Sequence, residues 1–498
     1  MGYPAHFQRP PAPTVQSDHM TLLDRIAAAI ARENLFRHAG RVGVAVSGGA
    51  DSICLLHALF ELRPVGAWRL EILHVNHMLR GDESDGDESY VKALARQLDL
   101  PFHSRRVDTL GRGGNLEETA RDIRRGLFRE WMHSIPLDCV ALAHTRSDQA
   151  ETVLFRFLRG SYLTGLAGMR PKTADGLVRP MLDIGRAEVE AWLRERGIGW
   201  REDRTNRDPA FARNRIRHQL LPALAAEWNP GLPGILARHA TLAREDEDYW
   251  SGRLDSIEPE FTSVWNHDRI LSVQEPFRVL PPALARRLVR RQIERVKGGL
   301  RGVDARHVGA VFDLCRGPSG HYRVQVPGVD VLRSFDYVRF TAPPSSGPGP
   351  GYNIPAQPPA AVALPFARCV VHLEIVDRSG KVTEHDTLEA ELDWDRVQSD
   401  MSVVGGSKPG LFLRNWRPGD AYRRAGDRQE QKLKALFHTA RIPLWERRHW
   451  PILSNGERIV WARAFGPAED FAANPGTQIV LRISERFHES TGVVSTSV

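Results

Sequence analysis

Apolar side chains recur at helical spacing through Leu22, Leu23, Ile26 and Ile30, which predicts a helix over Thr21 to Glu33. Arg41 to Val46 (RVGVAV) is a short valine-rich run that ends at glycines, the pattern of a strand buried on both faces. Helical spacing returns over Ser52 to Leu62 through Ile53, Leu56, Leu59 and Phe60. Further along, Arg69 to Val75 (RLEILHV) reads as a strand, Tyr90 to Leu98 as a helix and Phe102 to Val107 as extended chain. Leu116 to His133 predicts a long helix, Cys139 to Ala143 a strand and Ser147 to Leu158 another helix. Such alternation over roughly 140 residues predicts an open parallel α/β sheet with crossover helices. Ligands of these sheets sit beyond the carboxyl ends of the strands, so chemistry is expected in the loops after Val46, Val75 and Ala143.

Beyond this region the pattern changes. Residues 222–342 read as a helical middle domain, in which Ala283 to Lys297 (ALARRLVRRQIERVK) is a basic amphipathic helix. Its plain reading is a surface helix that buries Leu284, Leu288, Val289, Ile293 and Val296. The Pro/Gly/Ser-rich stretch 343–366 reads as a linker. Residues 367–486 alternate β-like runs (CVVHLEIV, GLFLRNW, ERIVWARAF, TQIVLRI) with one helical segment, Lys432 to His438, and predict a small α+β domain. Residues 1–20 carry four prolines and no apolar core, as expected of a disordered leader, and 487–498 form a polar tail.

Composition adds exclusions. At 498 residues, 42% hydrophobic and 26% charged, the chain is an ordinary globular one of several domains. No apolar run is long enough to span a bilayer, so no membrane partner is expected. The four cysteines are scattered without a Cys-x-x-Cys pair, which suits a reducing, cytoplasmic setting and argues against a cysteine-held metal. The net charge of +7 becomes informative through its placement: the window Lys408 to Arg463 alone carries +8, from thirteen basic and five acidic residues. Trp416, Tyr422, Phe437, Trp445, Trp450 and Trp461 are interleaved with it. Two readings stand side by side: a nucleic-acid surface, or a solvated basic face over a tryptophan-rich core.

The sharpest local signal is Ser47-Gly48-Gly49-Ala50-Asp51-Ser52, between the first strand and its helix. Glycines let backbone approach phosphate, and the amides of the helix start point at an anion. The alternative is a plain glycine-rich strand–helix turn. Asp51 would repel a bare phosphate, so its work is expected to run through Mg²⁺ or as a base near the reacting group. No lysine stands where the Gly-x-x-x-x-Gly-Lys-Ser/Thr loop requires one.

This loop resembles the SGGxDS loop of the N-type ATP pyrophosphatases, which implies cleavage of ATP to AMP and pyrophosphate. Further segments resemble the tRNA(Ile)-lysidine synthetase family, a branch of that PP-loop superfamily. They are His74-Val75-Asn76-His77-Met78-Leu79-Arg80; Asn115-Leu116-Glu117-Glu118 with Ala120-Arg121-Asp122-Ile123-Arg124; and Ala143-His144-Thr145-Arg146-Ser147-Asp148-Gln149-Ala150-Glu151-Thr152 with Arg159-Gly160 and Gly165-Leu166. Arg179-Pro180-Met181-Leu182, Glu202-Asp203-Arg204-Thr205-Asn206 and Arg213-Asn214-Arg215-Ile216-Arg217 follow. Arg417-Pro418-Gly419-Asp420 and Lys432-Leu433-Lys434 resemble the family's C-terminal domain. The match covers most of Met20 to Leu221 and roughly Leu411 to Phe465.

The resemblance implies a Rossmann-like, adenine-nucleotide-α-hydrolase-like fold for 21–221 and a tRNA-binding role for 367–486. It implies ligation of free L-lysine to C2 of the wobble cytidine of an isoleucine tRNA with a CAU anticodon, through an adenylated cytidine. ATP and Mg²⁺ would be used, and a homodimer is implied. It assigns Ser47, Gly48, Gly49, Ala50, Asp51 and Ser52 to ATP, with Asp51 also the Mg²⁺ candidate. Asp51 and Arg124 are the catalytic candidates. Asp148 and Glu151, three apart on one helix face, are assigned to lysine; capping of the helix by acids is the plain alternative. Asn76, His77, Arg121 and His144 are assigned to the nucleotide or cytidine pocket. Arg213, Arg215, Arg217, Arg417, Lys432 and Lys434 are assigned to tRNA, against a solvated basic face.

Two departures stand out. Ser147 occupies a position where the family carries an acid, and Arg125 one where it carries an aromatic residue. A PP-loop tRNA thiolase and a tRNA-binding homologue without catalysis are the alternative readings. Thiolases of this class use reactive cysteines or a cluster, whereas Cys54 and Cys139 read as core residues.

Overall fold

The computed structural model describes residues 20–38, 40–78, 82–108, 116–201, 212–265, 268–343, 351–364, 369–378, 388–402 and 410–487. The leader apart from Met20, residues 488–498 of the tail, Lys408, and the motif residues Leu79, Arg80, Asn115 and Glu202 to Asn206 lie outside them. The chain forms two compact units, Met1–Trp250 and Ser251–Val498.

The first unit is built on five parallel strands: β1 (Arg41–Ala45), β2 (Arg69–Asn76), β3 (Phe102–Arg106), β4 (Cys139–Ala141) and β5 (Leu177–Val178), in the order β3-β2-β1-β4-β5. Its helices are α1 (Leu22–Arg32), α2 (Ala50–Gly66), α3 (Asp82–Gln97), α4 (Leu116–Ser134), α5 (Arg146–Leu158), α6 (Leu163–Leu166), α7 (Arg186–Glu195), α8 (Ala212–Arg215) and α9 (Leu221–Glu227). A π-helical turn, Ile216–Leu220, joins α8 to α9, and the boundary between the units falls within α10 (Leu232–Phe261).

The period-two alternation of strands sorts their side chains between two cores. Val42 and Val44 of β1, Leu70 and Ile72 of β2 and Cys139 and Ala141 of β4 pack with α1, α2, α3 and α7. Leu73 and Val140 point to the other face, against Phe128 and Trp131 of α4. Gly43 lies on that second face, where a Cβ would come within 2.7 Å of Leu73 and 3.0 Å of Leu137. Because β1 pairs with β2 on one side and β4 on the other, strand order reverses there. Such a switch point opens a crevice at the carboxyl ends of β1 and β4. The predicted first helix is also present, with Thr21 and Asp24 closing a capping box.

Helix α3 begins well before the predicted Tyr90, in the polar run Asp82 to Ser89. Apolar periodicity could not announce that stretch. Tertiary contacts hold it: the Asn76 side-chain amide donates to the Ser84 carbonyl (3.3 Å), Asp85 (3.0 Å) and Glu88 (3.0 Å).

In the second unit the helical middle comprises α11 (Glu275–Arg278), α12 (Pro282–Lys297) and α13 (Ala305–Arg316). Leu284, Leu288, Val289 and Ile293 of α12 are buried as predicted. Beside these helices runs an antiparallel sheet that the pattern did not reveal, β6 (Thr262–Trp265), β7 (Asp268–Ser272), β8 (His321–Val326), β9 (Val329–Ser334) and β10 (Tyr337–Thr341).

The predicted linker differs more. Its described second half supplies β11 (Asn353–Pro355) and β12 (Ala360–Ala363), with Tyr352, Ala356, Val362 and Leu364 in the C-terminal core. Both strands lie at sheet edges, where a proline's missing N–H removes no ladder bond that the sheet needs. The remaining elements are β13 (Cys369–Asp377), β14 (Leu388–Asp393), α14 (Trp394–Ser402), β15 (Leu411–Asn415), β16 (Ala421–Tyr422), β17 (Gln431–Lys432), α15 (Leu433–Thr439), α16 (Leu444–Arg447), β18 (Pro451–Asn455), β19 (Arg458–Ala462), β20 (Gly466–Pro467) and β21 (Ile479–Phe487). They make two principal antiparallel sheets, β11-β15-β18-β19-β20 and β12-β13-β21-β14, around one apolar core.

Candidate functional site

The loop after β1 is internally braced. The Ser47 amide donates to Ser52 Oγ (3.2 Å), the two hydroxyls lie 3.2 Å apart, and Ser52 Oγ donates to the Gly49 carbonyl (2.9 Å). Gly49 caps α2 without a side-chain hydrogen bond, so the first amides of that helix remain directed at the crevice. Gly48 sits at φ +96°, a left-handed conformation in which a Cβ would meet, among the described residues, Tyr90 and Val91, each at 3.8 Å. The requirement for glycine there is torsional rather than steric. A Gly48→Ala protein is therefore expected to lose about 1–3 kcal/mol, and the displaced loop should raise the ATP KM about tenfold. Denaturant melts and ATP titration measure both.

Asp51 stands in the first turn of α2. Burial, reinforced by the charge of Asp148, pushes its carboxyl up to about 6. Its Oδ1 is buried and has no hydrogen-bond partner among the described residues.

Asp148 and Glu151 stand on α5, at the carboxyl end of β4, across the switch point. Asp148 Oδ2 accepts from the Thr145 amide (2.8 Å) and hydroxyl (2.9 Å), so the plain capping role is realised. Its second oxygen accepts from Arg217 (2.6 Å) and Arg213 (3.3 Å). Glu151, 2% exposed, accepts from Arg217 Nε (2.5 Å) and Arg213 Nε (3.1 Å). Two guanidiniums thus lock two buried carboxylates. Burial works to raise the Asp148 pKa, but His144, Arg213, Arg217 and the Thr145 amide hold it below the usual carboxylate range. Against the opposing pull of burial, Glu151 and Asp148 raise that of Arg217.

Arg213 and Arg217, two of the tRNA candidates, both turn inward onto the acids. Arg215, between them, is exposed. Asn76, assigned to the pocket, is engaged within the fold. Its amide is engaged with α3 and its Oδ1 accepts from the Met78 amide (3.0 Å). His77 is depressed to about 4 by burial and then by Arg124 and His74, so it is neutral at pH 7. His144 is likewise held neutral, by burial first, then by Arg179, Arg213 and Arg124 against Asp148. Arg124 and Arg121 are exposed on α4, and their fields reach His144 and Arg179 respectively. That cationic surround suits a phosphate better than a cation.

Arg179 and His74 stand in the family-like segments without an expected role. Arg179 donates to His144 Nδ1 (3.2 Å) and to the Arg170 carbonyl (2.8 Å); burial, then Arg121, lowers it to about 10. His74 Nδ1 lies 2.8 Å from the Val46 carbonyl, which ties β2 to the start of the phosphate loop. Their membership of the quoted motifs was the available signal.

In the second unit the basic window divides. Its six interleaved aromatics belong to the core: Phe437 and Trp461 are fully buried, Tyr422, Trp445 and Trp450 nearly so, and Trp416 packs edge-on to Phe437. Several arginines are engaged internally. Arg414 is buried in a two-pronged pair with Asp420 (2.8 and 2.9 Å), and Asp420 also accepts the Arg417 amide (2.6 Å). Arg424 pairs with Asp427, Arg463 with Glu485, and Arg458 with Asp400 and Asp470. Arg417, Lys432 and Lys434 remain exposed. The window is a solvent-facing basic rim over an aromatic core, without stacking side chains among those six.

Among the described residues no cluster of three or more His, Cys, Asp or Glu side chains could hold a metal. A lone carboxylate with an unsatisfied oxygen still fits Mg²⁺, which is held through one or two carboxylates plus substrate phosphates. No helix of the described residues is long and apolar enough to cross a membrane.

Comparison with known proteins agrees with this layout. A family model for the PP-loop domain matches residues 20–224. The TilS substrate binding domain matches 274–338, and the TilS substrate C-terminal domain matches 411–484. Over 455 residues the chain is 49% identical to a tRNA(Ile)-lysidine synthase of Solibacter usitatus, covering 91% of this chain and 99% of that protein. It is 35% identical over 477 residues to the tRNA(Ile)-lysidine synthase of Geobacter sulfurreducens, covering 93% and 98%. It is 34% identical over 490 residues to that of Symbiobacterium thermophilum, covering 94% and 98%. With its ATP loop, its sheet order and this near full-length similarity, the chain belongs to the tRNA(Ile)-lysidine synthase family.

Proposed function

We propose that the protein ligates free L-lysine to C2 of the wobble cytidine in isoleucine tRNA with a CAU anticodon, in the cytoplasm, and releases AMP and pyrophosphate. The observation that carries this reading is one crevice holding a phosphate loop with Asp51 on one wall and the buried acids Asp148 and Glu151 on the other. The loop and the start of α2 take the phosphates of ATP. The cytosine O2 attacks the α-phosphate, and pyrophosphate leaves. Arg124 and Arg121 neutralise charge that develops on the α-phosphate. Asp51 would hold Mg²⁺, which supplies further charge neutralisation when bound. Asp148 and Glu151 take the ammonium groups of lysine. Its ε-nitrogen gives up one proton before attacking C2 and a second as AMP departs with the former O2, both passing to solvent or to the released pyrophosphate. Arg417, Lys432 and Lys434 contribute phosphate contacts.

One assay tests the reading. The full-length protein is supplied with ATP, Mg²⁺, labelled lysine and a CAU-anticodon tRNA. Label should enter the tRNA with equal amounts of AMP and pyrophosphate; ADP formation or unlabelled tRNA would sink it. Cys54 and Cys139 are buried, and burial pushes both thiols up to about 12, which removes the thiolate a sulfur carrier needs. Cys54→Ala and Cys139→Ala proteins should therefore retain lysine ligation; loss of activity in well-folded protein would favour thiolation. The family resemblance also implies a homodimer, which sedimentation of the full chain measures.

A further inference from the structure

We infer that the carboxyl end of α5 and the turn after it form a stacking shelf for single-stranded RNA bases. The inference rests on the tRNA reading above and assigns the nucleotides that adjoin the reacting one. Phe157, Leu158 and Tyr162 are 61, 58 and 78% exposed, three large apolar side chains within six residues. Such clustering at a surface marks a binding site rather than scattered exposure. The chain is folded tightly to present them: the Gly160 amide donates to the Phe157 carbonyl (2.9 Å) and the Ser161 amide to the Arg156 carbonyl (3.0 Å). Exposed Arg159 lies over the Phe155 ring at 4.6 Å, leaving a guanidinium plane beside the aromatic ones. A cleft of about 530 Å³ runs alongside, lined by Phe155, Leu158, Arg159, Arg215, Ile216 and Leu220.

Charge selects the occupant. The segments that frame the cleft, Phe155 to Tyr162 and Ala212 to Leu220, hold no acid, and of their five arginines Arg159 and Arg215 are exposed there, while Arg213 and Arg217 pair with Asp148 and Glu151 and Arg156 donates to the Gly165 and Gly168 carbonyls. Aromatic planes beside arginines fit unstacked bases joined by phosphates. Nine residues of helix separate Asp148 from Phe157, about 14 Å, so the shelf lies near enough to the crevice to hold neighbours of the cytidine. The contrast with the C-terminal window sharpens the assignment, because all six aromatics singled out there are at least partly packed into its core.

The test uses full-length protein and an end-labelled stem-loop RNA with a CAU loop, without ATP or lysine. Affinity should fall about 5- to 100-fold in Tyr162→Ala and in Phe157→Ala, while Tyr162→Phe binds as wild type. Arg159→Ala should flatten the salt dependence by about one phosphate contact. Melting temperatures should not move, because these side chains face solvent. Unchanged RNA affinity in both alanine variants overturns the shelf. So does a change confined to sedimentation, which would make a second copy of the chain the occupant. Lysine incorporation by the wild type is scored separately: shelf-dependent RNA binding without lysine transfer rejects the proposed reaction and keeps the shelf.

Discussion

Asp51→Asn is expected to reduce release of AMP and pyrophosphate by about 10²–10³-fold or more, the scale of losing one preorganised electrostatic group, while leaving the fold at least as stable. The carboxylate is kept in a place that disfavours its charge: burial and Asp148 hold its pKa near 6. A raised acid contributes fully to stability below its ordinary value of 3.8, and that contribution fades as pH climbs through about 6. Asparagine never ionises, so it escapes the penalty. The melting temperature of the variant should match wild type near pH 4 and overtake it between pH 4 and 6, with the gain persisting at pH 8. Wild-type activity should conversely fall on the acid side with an inflection near 6, as the anion is lost. A variant with substantial activity at pH 8 would remove Asp51 from the phosphate and metal chemistry. A variant less stable at pH 8 would show that the carboxylate has partners inside the fold.

The second large effect concerns the lock on α5. Arg217→Ala should destabilise the first unit by about 3–5 kcal/mol, a fall of roughly 10 °C in melting temperature. Its side chain donates to both Asp148 (2.6 Å) and Glu151 (2.5 Å), so its removal leaves two buried carboxylates sharing the Arg213 guanidinium, with Asp148 keeping its Thr145 bonds. Free lysine offers a replacement. If these acids hold the substrate amines, millimolar lysine should raise the melting temperature of Arg217→Ala more than that of wild type, because in the wild type the amine must displace a guanidinium. Equal shifts in the two proteins would leave the lock with structural work alone. A melt unchanged by the substitution would show that the pairs are not held in solution.

Legibility followed the range of the interactions. The phosphate loop was readable because strand, glycines and helix start are contiguous, and the serine hydrogen bonds that brace it span five residues at most. The parallel sheet was readable because valine-rich strands and amphipathic helices carry their burial in their own periodicity. The pairing of Arg217 with Asp148 spans 69 positions, and nothing local to either residue announces it. The same holds for Asn76, whose polar head looked available until β2 and α3 were placed side by side. In the C-terminal window, basic and aromatic residues share one stretch of sequence. Strand alternation and the turn of α15 then send Phe437, Trp450 and Trp461 inward while Lys432 and Lys434 face water. The Pro/Gly run read as linker because its composition lacks strand formers, yet an edge position accepts proline, and only the neighbouring strands create that edge.

By itself, then, the sequence determined the α/β class, the ATP loop, the run of motifs that marks the family and the place of the excess charge. These rest on local backbone preference and on side-chain order along one chain. Tertiary structure alone decided that Asp51 and Asp148 share a crevice, that Arg213 and Arg217 pair with buried acids, and which aromatics reach solvent. Those outcomes depend on desolvation and on pairing between distant segments, and a buried charge finds its partner only once the fold has brought that partner to it.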